Sequence, residues 1–360
     1  MTIRLNHSVI HGFAKHAGQR TAQLIKKDQP LDNTLPAVLS LVEGMVDLFG
    51  KRESRQVWGR FMPSHAQACF PLRFAGYAAA APGAEDFLAL SCVIVDEIAR
   101  LAIERQAATG GHILCADYVT SDRQPRFIVA MIKQRSGLLL NNELVPQNIT
   151  EIDMSKLHQA ALIRVDEFLA GAAQVPADDV DYLSFVAKAA DGSSAYFKTA
   201  LGCAVGVSPG TATMRLYKAV DVLFFENAAL NPYRRGAKES LTQYMSQQLA
   251  ARAQVTMDEV KAVLDRVVPR HLCPQLQDVA QVLNGERFKV PGSFHVKESV
   301  VKNHSKVTLD NGRICLKFDR AMLGQQPQSE LLFDEPARKL VIQNLNDDMI
   351  AKLRNTLEGR

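Results

Sequence analysis

The sequence predicts an α+β fold, and three observations predict it. Short apolar runs bounded by turn residues, HILCADYV at 112–119 and PRFIVAMIK at 125–133, have the length and β-branched content of strands. A stripe of Val38, Leu41, Val42, Met45, Val46 and Phe49 recurs at helical spacing in LPAVLSLVEGMVDLFG, residues 35–50. The two kinds of segment come in blocks, without the regular βαβ alternation of a parallel sheet.

Taken in order, the chain begins with MTIRLNHSVIHGF, which lacks the continuous apolar stretch of a signal peptide. His7 and His11 stand four apart, as on one helix face, with His16 nearby. HSVIH shares its histidine spacing with zincins, but Ser8 stands where their general-base glutamate is needed, so no metal site is predicted. The helix at 35–50 is closed by Gly50. EDFLALSCVIVDEIARLAIERQ (85–106) is apolar on most sides, as a helix buried against several partners would be. After Gly110-Gly111 come the two strands, joined by TSDRQ, and ITEIDM (149–154) and AALIRVDEF (160–168) read as further strands over the helices.

The stretch 171–181, GAAQVPADDVD, is small and acidic and reads as a linker, which divides the chain into 1–175 and 176–360. In the second part the pattern is helical over 190–284, with GCAVGVSPG (202–210) reversing the chain between helices. Strands return over 287–345, and a terminal helix over 347–358 is capped by Asn346 with Asp347 and Asp348 in its first turn.

Composition bounds the function. The chain has 360 residues, 47% hydrophobic and 22% charged with nearly balanced signs, which excludes a disordered polyelectrolyte. Cysteines at 69, 92, 115, 203, 273 and 315 form no CxxC pair, and Cys92, Cys115 and Cys315 have the apolar neighbours of small core residues. No apolar run is long enough to cross a bilayer. The expectation is a reduced, cytoplasmic, soluble protein that uses no cofactor.

The net charge is +4, yet Arg287 to Arg320 alone holds eight basic residues against three acids, a net of +5. Within it VTLDNGRICLKFDR (307–320) alternates Val307, Leu309, Ile314, Leu316 and Phe318 with polar residues around Asp310-Asn311-Gly312, as a β-hairpin with one apolar face does. The other face is expected to carry Lys306, Arg313, Lys317 and Arg320. Two more basic clusters are KRESRQVWGRF (51–61) and PYRRGAK (232–238). Such groups neutralise phosphates and release counterions, giving affinity without base reading. For Trp58 and Phe61 core packing is the preferred reading.

The chain resembles the bacterial nucleoid-associated protein family known as NdpA or YejK, nearly end to end. The resemblance is carried by VIHGFAK, KRESRQVWGRF, RFIVAMIKQRSGLLLNNEL, ITEIDMSKLHQAALIRVDEF, DYLSFVAKAADGSSAYFKTALG, GRICLKFDRAMLG and ELLFDEPARKLVIQNL. It implies a cytoplasmic, nucleoid-associated, non-catalytic protein that binds DNA with little sequence preference and acts as a homodimer. Relatives tend to be more basic after YLSF, whereas here Lys188 and Lys198 flank Asp191, so contact through that segment is in doubt.

The expectation is therefore duplex binding through Lys297, Lys302, Lys306, Arg313, Lys317 and Arg320, with Arg234 and Arg235 as a second contact. Three alternatives stay open: RNA in place of DNA, a module docking a protein of the DNA-maintenance machinery, and a metal-dependent nuclease built on Asp153 in EIDMSK or Asp334 in FDEPARK.

Overall fold

The computed structural model describes residues 2–49, 56–62, 70–80, 82–105, 109–155, 157, 159–172, 180–187, 195–310, 312–319 and 322–359. The first elements are β1 (Ile3–Ala14), β2 (Gln23–Ile25), α1 (Pro36–Phe49), β3 (Gln56–Phe61), α2 (Phe70–Ala79) and α3 (Ala84–Ile103). Next come β4 (Gly111–Thr120), β5 (Pro125–Ile132), β6 (Gln134–Leu140), β7 (Pro146–Ile152), β8 (Gln159–Arg164), α4 (Val165–Ala172), β9 (Leu183–Ala187), α5 (Ala195–Ala200) and β10 (Cys203–Val205). Eight of these strands make one antiparallel sheet in the order β10-β3-β9-β8-β5-β4-β1-β2.

The period-2 alternation of side chains decides which face each residue covers. Val9, Phe13, Ile113, Cys115, Phe127, Val129, Ile163 and Phe185 pack under α2, α3 and α5. Leu114, Ala116, Tyr118, Ile128, Ala130 and Leu162 point the other way, onto α1. Burial on both faces explains the unbroken apolar runs at 113–116 in β4 and 127–132 in β5. Gly110 is required here: a Cβ would collide with the carbonyl of Phe13, while its N–H bonds the Lys15 carbonyl at 2.8 Å.

Four expectations are corrected. His7 and His11 lie on β1, not on a helix, because a separation of four returns to the same face in a strand as it does in a helix. AALIRVDEF changes from strand to helix at Val165, where Asp166 and Glu167 suit a helix first turn. GCAVGVSPG supplies edge strand β10 and then Ser208, whose Oγ accepts the Thr211 N–H (3.1 Å) and starts the next helix. Cys315 is exposed, at the turn end of its strand, whereas Cys115 is buried as expected. The expected division after residue 175 falls between α4 and β9, and the sheet draws both β9 and β10 from beyond it.

The second half begins with α6 (Pro209–Glu226), α7 (Arg234–Ala251), β11 (Gln254–Thr256), α8 (Met257–Val267), α9 (Val279–Asn284), β12 (Ser293–His295) and α10 (Glu298–Ser305). Leu216, Val220, Leu241, Met245, Val260, Leu264 and Leu283 form its core, closed by the short β11–β12 ladder. Beyond it lie β13 (Lys306–Asp310), β14 (Cys315–Asp319), β15 (Leu323–Gly324), β16 (Leu331–Asp334), β17 (Lys339–Ile342) and α11 (Asp347–Leu357). Asn346 caps α11 as expected, accepting the Met349 N–H at 2.9 Å.

A polar joint fixes the helical unit to the sheet. Trp58 of β3 is fully buried and donates its indole N–H to the Asn284 carbonyl at 2.9 Å. The Asn284 side chain accepts the Gln56 N–H (2.9 Å) and donates to the Gln56 and Val290 carbonyls (2.9 and 2.8 Å). The Arg164 guanidinium lies 4.3 Å from the Trp58 ring centroid and donates to Glu286 at 2.8 Å. Lys289 Nζ sits 2.6 Å from Glu167, and Arg215 pairs with Asp181 at 2.6 Å.

Candidate nucleic-acid interface

The basic hairpin is built onto α10, and α10 onto α6. The Lys297 N–H donates to Thr213 Oγ1 at 3.1 Å, Val301 is buried, and the His304 ring stacks on Tyr217 with centroids 3.8 Å apart. Ser305 ends α10 and Lys306 begins β13 with no intervening loop, so the docking of the helix aims the hairpin. Sequence reasoning did not find Thr213, Tyr217 or His304, since no pattern links them to residues some ninety positions apart.

The hairpin register runs from Lys306↔Asp319 through Thr308↔Lys317 to Asp310↔Cys315 on one side, with Val307↔Phe318 and Leu309↔Leu316 on the other. Phe318 is buried and Val307 and Leu316 are half-buried. Leu309 and Ile314, expected on the same apolar face, are exposed, Ile314 lying in the turn before the strand, so that face is only partly covered. Among the described side chains the polar row carries Lys306, Lys317 and Asp310, and the rest of the segment's cationic excess comes from the turn and from α10. Arg313 lies in the turn, beyond the strands, where Gly312 takes φ +79° and donates its N–H to Asp310 Oδ1 at 2.8 Å. Asn311 and Arg320 lie outside the described residues.

The structure divides the basic residues by what already faces them. Arg287 is held by Glu226 and Lys289 by Glu167, so two of the eight are bound within the fold. Lys302 pairs with Glu298 along α10, exposed to solvent, where such a pair contributes little. Lys297 and Lys317 are exposed and Lys306 is half-buried; among the described residues none of the three makes an ion pair. Lys297, Lys302, Lys306, Arg313 and Lys317 thus lie along one continuous helix-to-hairpin segment.

The other clusters differ. Asp221 accepts both Arg234 Nε and Nη2 at 2.6 Å and lies 3.0 Å from Lys238; Arg234 foremost draws the Asp221 pKa down to about 2. Arg235 faces Glu239 at 2.9 Å on the exposed side of α7. Lys51, Arg52 and Arg55 lie outside the described residues, as do Lys188 and Asp191, while Trp58 and Phe61 are core, as preferred.

The remaining candidates have local structural uses. Asp153 Oδ1 accepts the Ser155 N–H at 3.0 Å and sits 3.6 Å from Arg135; Asp334 accepts the Ala337 N–H at 3.0 Å in the β16–β17 turn. Among the described residues no three His, Cys, Asp or Glu side chains gather as a metal site would need. His11 is a core histidine, Nε2 at 2.9 Å from Ser91 Oγ and Nδ1 accepting the Lys27 N–H at 3.1 Å.

Comparison with known proteins extends the picture over the whole chain. A family model described as nucleoid-associated protein YejK matches residues 9–350. The chain is 24% identical to a nucleoid-associated protein of Pseudomonas putida strain F1 over 354 residues, covering 97% of this chain and 98% of that one. It is 24% identical to one of Pseudomonas fluorescens strain Pf0-1 over 353 residues, with the same coverage. A nucleoid-associated protein of Pseudomonas savastanoi pv. phaseolicola is 23% identical over 354 residues, 97% and 99% of the two chains.

Proposed function

Because the chain belongs to the nucleoid-associated protein YejK family, we propose that it binds duplex DNA, without reading sequence, through the segment from α10 to the β13–β14 hairpin. The contacts are Lys297, Lys302, Lys306, Arg313, Lys317 and Arg320, with Arg234 and Arg235 as a weaker second contact because each already faces a carboxylate. The family places the protein at the nucleoid, the DNA-bearing part of the bacterial cytoplasm. Its role there is architectural and non-catalytic, and it acts as a homodimer in organising the chromosome.

The observation that carries this reading is the contrast among the basic clusters. Arg234, Lys238, Arg287 and Lys289 face carboxylates within the fold, whereas Lys306 and Lys317 stand at fixed register positions on a hydrogen-bonded hairpin and make no ion pair among the described residues. A phosphate backbone recruits cations held in this way by releasing its condensed counterions.

The test is fluorescence anisotropy of a labelled, arbitrary-sequence duplex titrated with protein at three salt concentrations, with and without magnesium. With about four phosphates contacted, raising salt from about 50 to 200 mM weakens binding by roughly two decades. A Lys306→Glu/Lys317→Glu protein that keeps wild-type affinity would sink the assignment. No binding at low salt would make DNA an indirect partner, and equal affinity for duplex RNA would widen the ligand. Magnesium-dependent cutting lost on Asp153→Asn or Asp334→Asn would overturn the non-catalytic reading.

A further inference from the structure

β6 and β7 form a two-stranded arm that continues the β5–β8 hairpin beyond the end of the sheet, with the Asp153 N–H bonding the Lys133 carbonyl at 2.8 Å where they join. Its tip, LLLNNELV (138–145), exposes Leu138, Leu139, Leu140, Leu144 and Val145. Leu144 is 76% exposed and takes φ +60°, a conformation that glycine or asparagine adopts at lower cost. The turn is otherwise well made: the Asn141 side chain accepts the N–H groups of Glu143 and Val145 at 3.0 and 2.9 Å. A leucine that is both strained and exposed has no use in the isolated chain, and isolated two-stranded hairpins are marginal in water.

The charge on the arm limits the partner. It carries Arg135, Glu143 and Glu151, and Arg135 is bound to Glu151 at 2.8 Å, which leaves Glu143 at the tip uncompensated. An anionic, apolar tip is repelled by phosphates, so the arm is not a wedge for a base step, and its partner is protein.

The same chain holds a matching cavity. Between α2 and α3 lies an open groove of about 770 Å³, lined by Leu72, Gly76, Ala89 and Val93 together with Arg73 and with Asp86, whose carboxylate already accepts the Gly83 N–H at 3.0 Å. Leu72 is exposed, and Gly76 leaves open space where a side chain would stand. Neither Arg73 nor Glu143 has an ion pair among the described residues.

An arm cannot reach its own groove. Tyr77 of α2 bonds Asp117 at 2.6 Å, and Asp117 is the register partner of Phe127, near the start of β5. The arm leaves from the other end of β5 and runs outward, so its tip stands roughly 45 Å away at about 3.3 Å per strand residue.

We propose that the β6–β7 arm of one copy seats Leu144 in the α2–α3 groove of a second copy, with Glu143 against Arg73. The proposal rests on the homodimer part of the functional reading and is independent of DNA.

The experiment is sedimentation of the full chain without DNA, from low to high micromolar concentration. Wild type is expected to be dimeric, and Leu144→Asp monomeric with an unchanged circular dichroism spectrum. Arg73→Glu and Glu143→Arg should each weaken the dimer at least tenfold, and together restore it. A monomeric wild type would overturn both the homodimer reading and this proposal. A Leu144→Asp protein that stays dimeric, or a charge swap that fails to rescue, would overturn the arm placement alone.

Discussion

The indole N–H of Trp58 meets the backbone carbonyl of Asn284 at 2.9 Å, across 226 positions of sequence. Trp58 is the only tryptophan in the chain, and it stands where the sheet and the helical unit join.

Replacing it by phenylalanine keeps most of the ring packing and removes the donor. The Asn284 carbonyl is then buried without that partner, which costs about 1–3 kcal/mol. Urea unfolding followed by circular dichroism should show a lower midpoint with an unchanged slope. An unchanged midpoint would mean that water replaces the bond and that the joint is wetter than it looks.

The basic residues should separate into two classes. Charge reversal of Lys306 and Lys317 removes two phosphate contacts and lowers the slope of log affinity against log salt by about 1.8. Neutralising Arg234 and Arg235 together should change that slope by less than about 1, since carboxylates already face both. Arg234→Gln should also lower stability, because Asp221 loses its two-point partner. Equal slope changes in the two pairs would show that the second contact matters as much as the hairpin.

Two pH windows follow from the ionisable groups. Burial foremost, with Lys26 assisting and Asp96 opposing, lowers the His11 pKa below 6.5. The unfolded chain therefore binds a proton that the folded chain refuses, so this stability is complete above about 6.5 and is lost as pH falls toward the lowered value. His11→Gln should flatten urea midpoints between pH 7.5 and 5.5. Asp221 acts lower down: its contribution is present above 3.8 and disappears as pH falls through about 2, an effect of about 1–2 kcal/mol after solvent screening. Asp221→Asn should remove that part of the acid sensitivity and leave the His11 window intact.

The sheet gives a prediction about fragments. β3 hydrogen-bonds only to β9 and β10 within the main sheet, and both lie after residue 175. A fragment of residues 1–206 should melt more cooperatively than one of residues 1–175, read by thermal circular dichroism. Identical melts would mean that β3 adds no order to the sheet.

Much of the fold was legible because periodicity is local. β4, β5 and α1 fall within a residue or two of their expected places and α3 within three, and Asn346 caps its helix as its position suggests. His7 and His11 were misread because a spacing of four satisfies both periods. β6 was missed because Leu138-Leu139-Leu140 has no alternation, being exposed on both sides. The candidate interface was legible as composition only. Nothing in the sequence says that Lys289 meets Glu167 or that Arg287 meets Glu226, since those pairs span 122 and 61 positions.

The place of β3 between β9 and β10 also sets an order of events during synthesis. β1, β4 and β5 can zip together as they emerge from the ribosome, but β3 ends at Phe61 and its first neighbour begins at Leu183. About 120 residues must be added in between, on the order of ten seconds at ordinary elongation rates. Throughout that interval QVWGRF carries two unpaired edges and an unburied tryptophan. The nascent chain is thus most open to chaperones, and to mispairing with a neighbour, at a strand that becomes fully interior once the last strand of the sheet arrives.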